Sequence, residues 1–135
     1  MRSCFVSTTE IQSYLNRAQQ DLLAAEQILQ DGFYHVTVTR AYYAMFYAAQ
    51  ALLISRSVRR HRHAGVLSAF SEHFIKTALI ETEYAKILAN AFNARLGSDY
   101  DVMYSVDPAT AKGVLQDAQK FIDRVKDHLD QMGNK

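Results

Sequence analysis

The segment from Arg40 to Leu53, RAYYAMFYAAQALL, limits the fold more than any other part of the chain. It holds no Gly, Pro or acidic residue, and Ala, Leu and Met are strong helix formers. Wound into a helix it is apolar on nearly every side, so other elements have to cover it all round. Its apolar stretch, Tyr42 to Ile54, is about 13 residues long and interrupted by Gln50. About 20 residues are needed to cross a bilayer, so the stretch predicts a buried central helix and no membrane span. A chain of 135 residues, 49% of them hydrophobic, can supply the surrounding shell. Domains commonly run about 100–150 residues, so one domain over residues 1–135 is expected, with its core at about 8–132. The net charge of +1 leaves any basic surface local. The single Cys4 forms no internal disulfide, and the apolar patch Cys4 to Val6 is too brief for a signal peptide. A reducing, cytoplasmic setting follows as the expectation.

The flanking segments carry helical periodicity. Ser7 to Glu10 has the form of a capping box, after which Ile11, Leu15, Ala18, Leu22, Ala25 and Leu29 form one apolar stripe, ended by Asp31 and Gly32. The central helix is expected over about Phe33 to Ser55, although His35 to Thr39 alternates like a strand. A third helix is expected from about Ala64 to Lys76, with Val66, Leu67, Phe70, Phe74 and Ile75 inward. A fourth runs from Glu81 to Leu96 with Gly97 as its stop, followed by a polar loop, 98–107. Asp107 and Pro108 read as an N-cap and first helical residue. They open a fifth helix whose inner face is Val114, Ala118, Phe121, Ile122, Val125 and Leu129. The expected fold is all-α, an up-and-down antiparallel bundle of about five helices.

Three clusters carry chemistry. The first is Arg40 with the tyrosines that follow it. Aromatics at this spacing build a core or an interface, and they can also stack bases while Arg40 holds a phosphate. The second is the connector Arg56, Arg59, Arg60, His61, Arg62 and His63. Between Asp31 and Glu72 the chain has five Arg and no acid, enough to attract RNA or a nucleotide. The same cations also suit the C-terminal end of the second helix. His61 and His63 lack the Cys or carboxylate company of a metal site, so neither a metal nor a cofactor is expected. The third is Arg95, Asp99, Tyr100, Asp101 and Tyr104. Arg95 can stabilise charge on a phosphate, or pair with Asp99 or Asp101 to fix the loop. A phenol, titrating at about 10, is a poor general base at neutral pH.

Taken in order, several short motifs resemble the HEPN domains (higher eukaryotes and prokaryotes nucleotide-binding). They are Ala18-x-x-Asp21-Leu22-x-x-Ala25, Arg40-Ala-Tyr42-Tyr43-Ala-Met-Phe46, His63-Ala-Gly65-Val66, Glu72-His73-Phe74-Ile-Lys76-Thr77 and Arg95-x-x-x-Asp99-Tyr100-Asp101. The resemblance runs from about Tyr14 to Leu129 and is closest to small stand-alone prokaryotic members. It implies a helical bundle, commonly a homodimer. It also implies a neighbouring minimal nucleotidyltransferase with which the protein forms a toxin–antitoxin pair.

Active members cleave RNA without metal through Arg-x(4–6)-His near the end of a late helix, two copies meeting across a dimer cleft. Arg95 matches that Arg, and Tyr100 stands in place of the His, with Asp99 beside it. Arg56 with His61 or His63 also fits the formula, but between the second and third helices. In some members the partner enzyme adenylylates a tyrosine just beyond the motif, and Tyr104 or Tyr100 is the corresponding position. Three functions follow as alternatives: the HEPN half of such a pair, binding its partner and RNA or a nucleotide; a metal-independent ribonuclease using Arg95 with Tyr100 or a connector histidine; or a non-catalytic dimer module.

Overall fold

The computed structural model describes residues 2–133; the side chains of residues 2–7, Cys4 included, lie outside the description. Five α-helices follow one another: α1 (Arg2–Gln30), α2 (Tyr34–Ser55), α3 (His63–Phe70), α4 (Thr82–Tyr100) and α5 (Pro108–Gly133). One π-helical turn, Ser71–Ile75, prolongs α3. No strand occurs among the described residues, and the expected all-α bundle is what forms. The short connections fold successive helices back on each other.

The central helix occupies the place its composition demands. α2 touches α1, α3, α4 and α5, and Val38, Ala41, Tyr42, Ala44, Met45, Ala48, Ala49, Ala51 and Leu52 have no exposed surface. Its strand-like beginning is helical because the hydroxyls find partners one turn back. Thr37 Oγ1 donates to the carbonyl of Phe33 at 2.9 Å and Thr39 Oγ1 to that of His35 at 3.3 Å, the bond a threonine makes to remain in a helix. Ala18, Leu22 and Ala25 of α1 and Phe121, Ile122 and Val125 of α5 close the core around it. Gly32, at φ +87°, ends α1 in the left-handed conformation expected of it.

Three boundaries differ from expectation. α1 continues back to Arg2, so Ser7 to Glu10 lies within the helix and not at its start. Glu10 instead takes the Arg59 guanidinium, at 2.6 and 2.5 Å. The third helix widens after Phe70: Lys76 N–H reaches the Ser71 carbonyl, five residues back. That wider turn aims Phe74 and then Ile80 into the core with Phe70. The fourth helix passes through Gly97 and ends three residues later. A Cβ at Gly97 would stand 2.5 Å from Cε2 of Tyr104. The glycine therefore seats the Tyr104 ring against the helix backbone and does not stop the helix. At the start of α5, Asp107 behaves as expected: its Oδ1 accepts the Thr110 N–H at 2.6 Å. Hydrogen bonding by Thr110, through its side chain first and this N–H second, holds the carboxyl below the usual carboxylate range.

A candidate anion site at the end of the fourth helix

The buried stripe of α4 runs Tyr84, Leu88, Ala91, Arg95. Steps of four, three and four residues put these on one helix face, and the last place goes to a guanidinium. Arg95 is 9% exposed, the one buried Arg or Lys among the described residues. Its Cζ lies 5.9, 5.5 and 5.8 Å from the rings of Tyr42, Tyr43 and Tyr100, within cation–π reach. One Nη donates to the Tyr43 hydroxyl at 3.2 Å. Nε stands 2.8 Å from Asp99 Oδ2, yet it has no hydrogen-bond partner in directional terms. The carboxylate is thus an ionic neighbour lying off the N–H axis. Asp99 is held from its other side by Thr39 Oγ1, 3.2 Å from Oδ1, which shares its one proton between that oxygen and the His35 carbonyl.

α2 brings Arg40 to the same place. Its Cζ lies 4.9 Å from the Tyr43 ring, and Nη1 reaches Oδ1 of Asp21 on α1 at 3.4 Å. Asp21 is 6% exposed and also faces Arg17 Nε at 3.6 Å, so one buried carboxylate positions two arginines.

The basic connector divides. Arg56 and Arg62 are exposed. Arg59 is engaged by Glu10. Arg60 donates to the Arg59 carbonyl at 2.8 Å, while its own carbonyl accepts from Gln50 at 3.2 Å. His61 faces solvent, but His63, first residue of α3, turns inward. Its ring stacks on Phe46 at 4.5 Å and borders Tyr42, Tyr43 and Phe92 at 5.6, 5.7 and 6.1 Å. Its Nδ1 is 2.6 Å from the Tyr42 hydroxyl. Burial pushes the Tyr42 phenol upward, so it keeps its proton; whether that hydroxyl donates to Nδ1 or accepts from it is set by the His63 tautomer. Burial first and the Arg95 charge second hold His63 below the usual imidazole range. The two histidines diverge, and among the described residues no three His, Cys, Asp or Glu side chains gather as metal ligands.

The structure therefore brings Arg40, His63, Arg95, Asp99 and Tyr100 together around Tyr42 and Tyr43. It leaves Arg56, Arg59, Arg60 and Arg62 on the neighbouring connector. Tyr100 is 74% exposed at the rim, and Tyr104 lies half-exposed against Gly97. Sequence reasoning gave Asp21 and Thr39 no part in this site. The signal for Asp21 was its place beside Ala18, Leu22 and Ala25 on the buried face of α1; Thr39 gave none, because its partner is 60 residues away.

The all-α bundle is consistent with a HEPN domain, and the HEPN family model matches residues 11–128. The chain belongs to the HEPN family. It is similar to two proteins of Methanocaldococcus jannaschii. "Putative toxin MJ0605" is 33% identical over 89% of each chain. "Putative toxin MJ0142" is 32% identical over 89% of this chain and 82% of that one. A UPF0332 protein of Thermotoga maritima is 31% identical over 86% of this chain and 88% of its own.

Proposed function

We propose that this protein is the HEPN half of a toxin–antitoxin-type pair, a single HEPN unit that works as a cytoplasmic homodimer. Its partner is a nucleotidyltransferase, and Arg95 receives a phosphate group of RNA or a nucleotide. The observation that carries the reading is the guanidinium at a core-stripe position. Burying a cation costs desolvation that an apolar residue avoids, and a site for an anion gives that cost a purpose. Family membership and the toxin names of two relatives support the same reading. The exposed cations Arg56 and Arg62, with Arg59 and Arg60 beside them, extend the positive potential toward the site. Tyr104, or Tyr100, is the position for modification by the partner. Co-expression with the adjacent nucleotidyltransferase gene tests the pairing. The expected result is one complex that co-purifies; two species that separate, or the lack of such a gene, refute it.

A second reading, metal-independent ribonuclease, is favoured by one observation. His63 and Arg95 border the same two tyrosines within one chain. RNA cleavage that persists in a chelator and vanishes in Arg95→Ala supports this reading. Equal integrity of RNA with both proteins ends it.

A further inference from the structure

We propose that the last turn of α4 is a built-in stop for the Arg95 site: Asp99 occupies the guanidinium as an internal anion and yields it to an incoming phosphoryl group. The inference rests on the reading of Arg95 as an anion site and concerns its regulation.

Three observations lead to it. First, Asp99 sits where a carboxylate gains least from its own helix. It is in the final turn of α4, at the negative end of the helix dipole, and that turn carries no basic residue. Arg95 precedes it by four residues, the less favourable order for an acid–base pair on a helix. Asp99 is held there by Arg95 and Thr39, both from the site. Second, the pairing leaves Arg95 unfinished. Nε is buried and close to Oδ2 but makes no directed hydrogen bond. An external oxyanion on the N–H axis would complete the guanidinium, once Asp99 has moved aside. Charge-assisted bonds to phosphate oxygens are stronger than an off-axis ionic contact. Third, the turn that carries Asp99 has a defined point of release. It begins at Gly97, the weakest helix former of the segment, and the Tyr104 ring lies over that residue. The loop is folded back by Tyr104 N–H to the Asp101 carbonyl and Met103 N–H to Asp101 Oδ1, each 2.9 Å. Tyr104 thus clasps the turn at its glycine. With the clasp in place Asp99 stays on Arg95; with the clasp open the helix can end at Gly97, taking Asp99 away.

Titration calorimetry with inorganic phosphate tests the stop, using the full chain and its Asp99→Asn, Tyr104→Ala, Arg95→Ala and Asp99→Asn/Arg95→Ala variants. Asp99→Asn is expected to bind phosphate about tenfold more tightly than wild type, the equivalent of about 1.4 kcal/mol. Tyr104→Ala should shift affinity in the same direction by less, and both variants lacking Arg95 should lose binding. If wild type and Asp99→Asn bind with equal affinity through Arg95, the stop is wrong and the anion site stands. If no variant binds phosphate, the anion site fails and the stop with it. An Asp99→Asn chain that does not fold shows Asp99 to be a structural residue and also overturns the proposal.

Discussion

Gly97→Ala is the substitution in which helix propensity and tertiary contact oppose each other most directly. Inside a helix the change ordinarily stabilises by about 0.8–1.0 kcal/mol. Here the new methyl group would lie 2.5, 2.6 and 2.9 Å from Cε2, Cδ2 and Cζ of Tyr104, closer than atoms can approach. Helix α4 is fixed by its core stripe, so the ring must leave. Tyr104 is 39% exposed. A tyrosine has about 150–250 Å² to bury, so the covered part is roughly 100–150 Å². At about 25 cal/mol per Å² its complete exposure would cost about 2.5–4 kcal/mol, as an upper bound. A ring that swings out and keeps about half of its contacts outweighs the helix gain. Gly97→Ala is therefore expected to destabilise the protein by about 0.3–1.2 kcal/mol. In a Tyr104→Ala background the same change should stabilise by about 0.8–1.0 kcal/mol. Urea unfolding followed by far-UV circular dichroism on the four proteins of this cycle reads the sign reversal directly. If Gly97→Ala stabilises the wild-type chain, the glycine is not a seat for Tyr104 and the clasp on α4 does not exist.

Ala78 holds φ +60°, a conformation that disfavours a Cβ by about 1–2 kcal/mol. Ala78→Gly should accordingly raise the melting temperature by about 3–5 °C, and an unchanged or lower value would refute the strain. Acid should weaken the fold through His63. Its native pKa lies below the usual imidazole value of about 6.5, so the unfolded chain takes up the proton first. Unfolding free energy falls as pH drops below about 6.5, until the native pKa is passed. Unfolding curves at neutral and mildly acidic pH should show that slope, and Arg95→Met should flatten it by removing one of its causes. A steeper slope in that variant would contradict the assignment. Phe121→Ala, in the fully packed centre between Phe70 and Tyr84, should cost about 3–5 kcal/mol. A loss under about 1 kcal/mol would mean that α5 is not part of the common core.

Much of this architecture was legible in the sequence because it depends on local rules. The breaker-free run after Arg40 needed cover on all sides, and four helices supply it. The Asp107-Pro108 pair opened α5 as its side chains dictate, and Gly32 closed α1. The misreadings share a different cause. Gly97 looked like a stop because glycine usually ends helices, but the Tyr104 ring that gives it another use lies outside the helix. Ser7 to Glu10 had a capping pattern, yet Glu10 has Arg59 for a partner, 49 residues away. The continuous third helix gave way to a π turn so that Phe70, Phe74 and Ile80 could share one core.

At the site the division is sharper. The sequence by itself determined that Arg95 would share a helix face with Tyr84, Leu88 and Ala91, because a 3.6-residue period fixes which side chains share a face; that the guanidinium is buried there was decided by the packing. The sequence could not determine that Tyr42, Tyr43 and His63 would surround that guanidinium, that the histidine would turn away from its basic neighbours, or that Thr39 would hold Asp99. Those contacts join residues 20 to 60 positions apart. They exist because close packing of α2, α3 and α4 leaves each side chain one volume to fill and each buried polar atom a small set of partners.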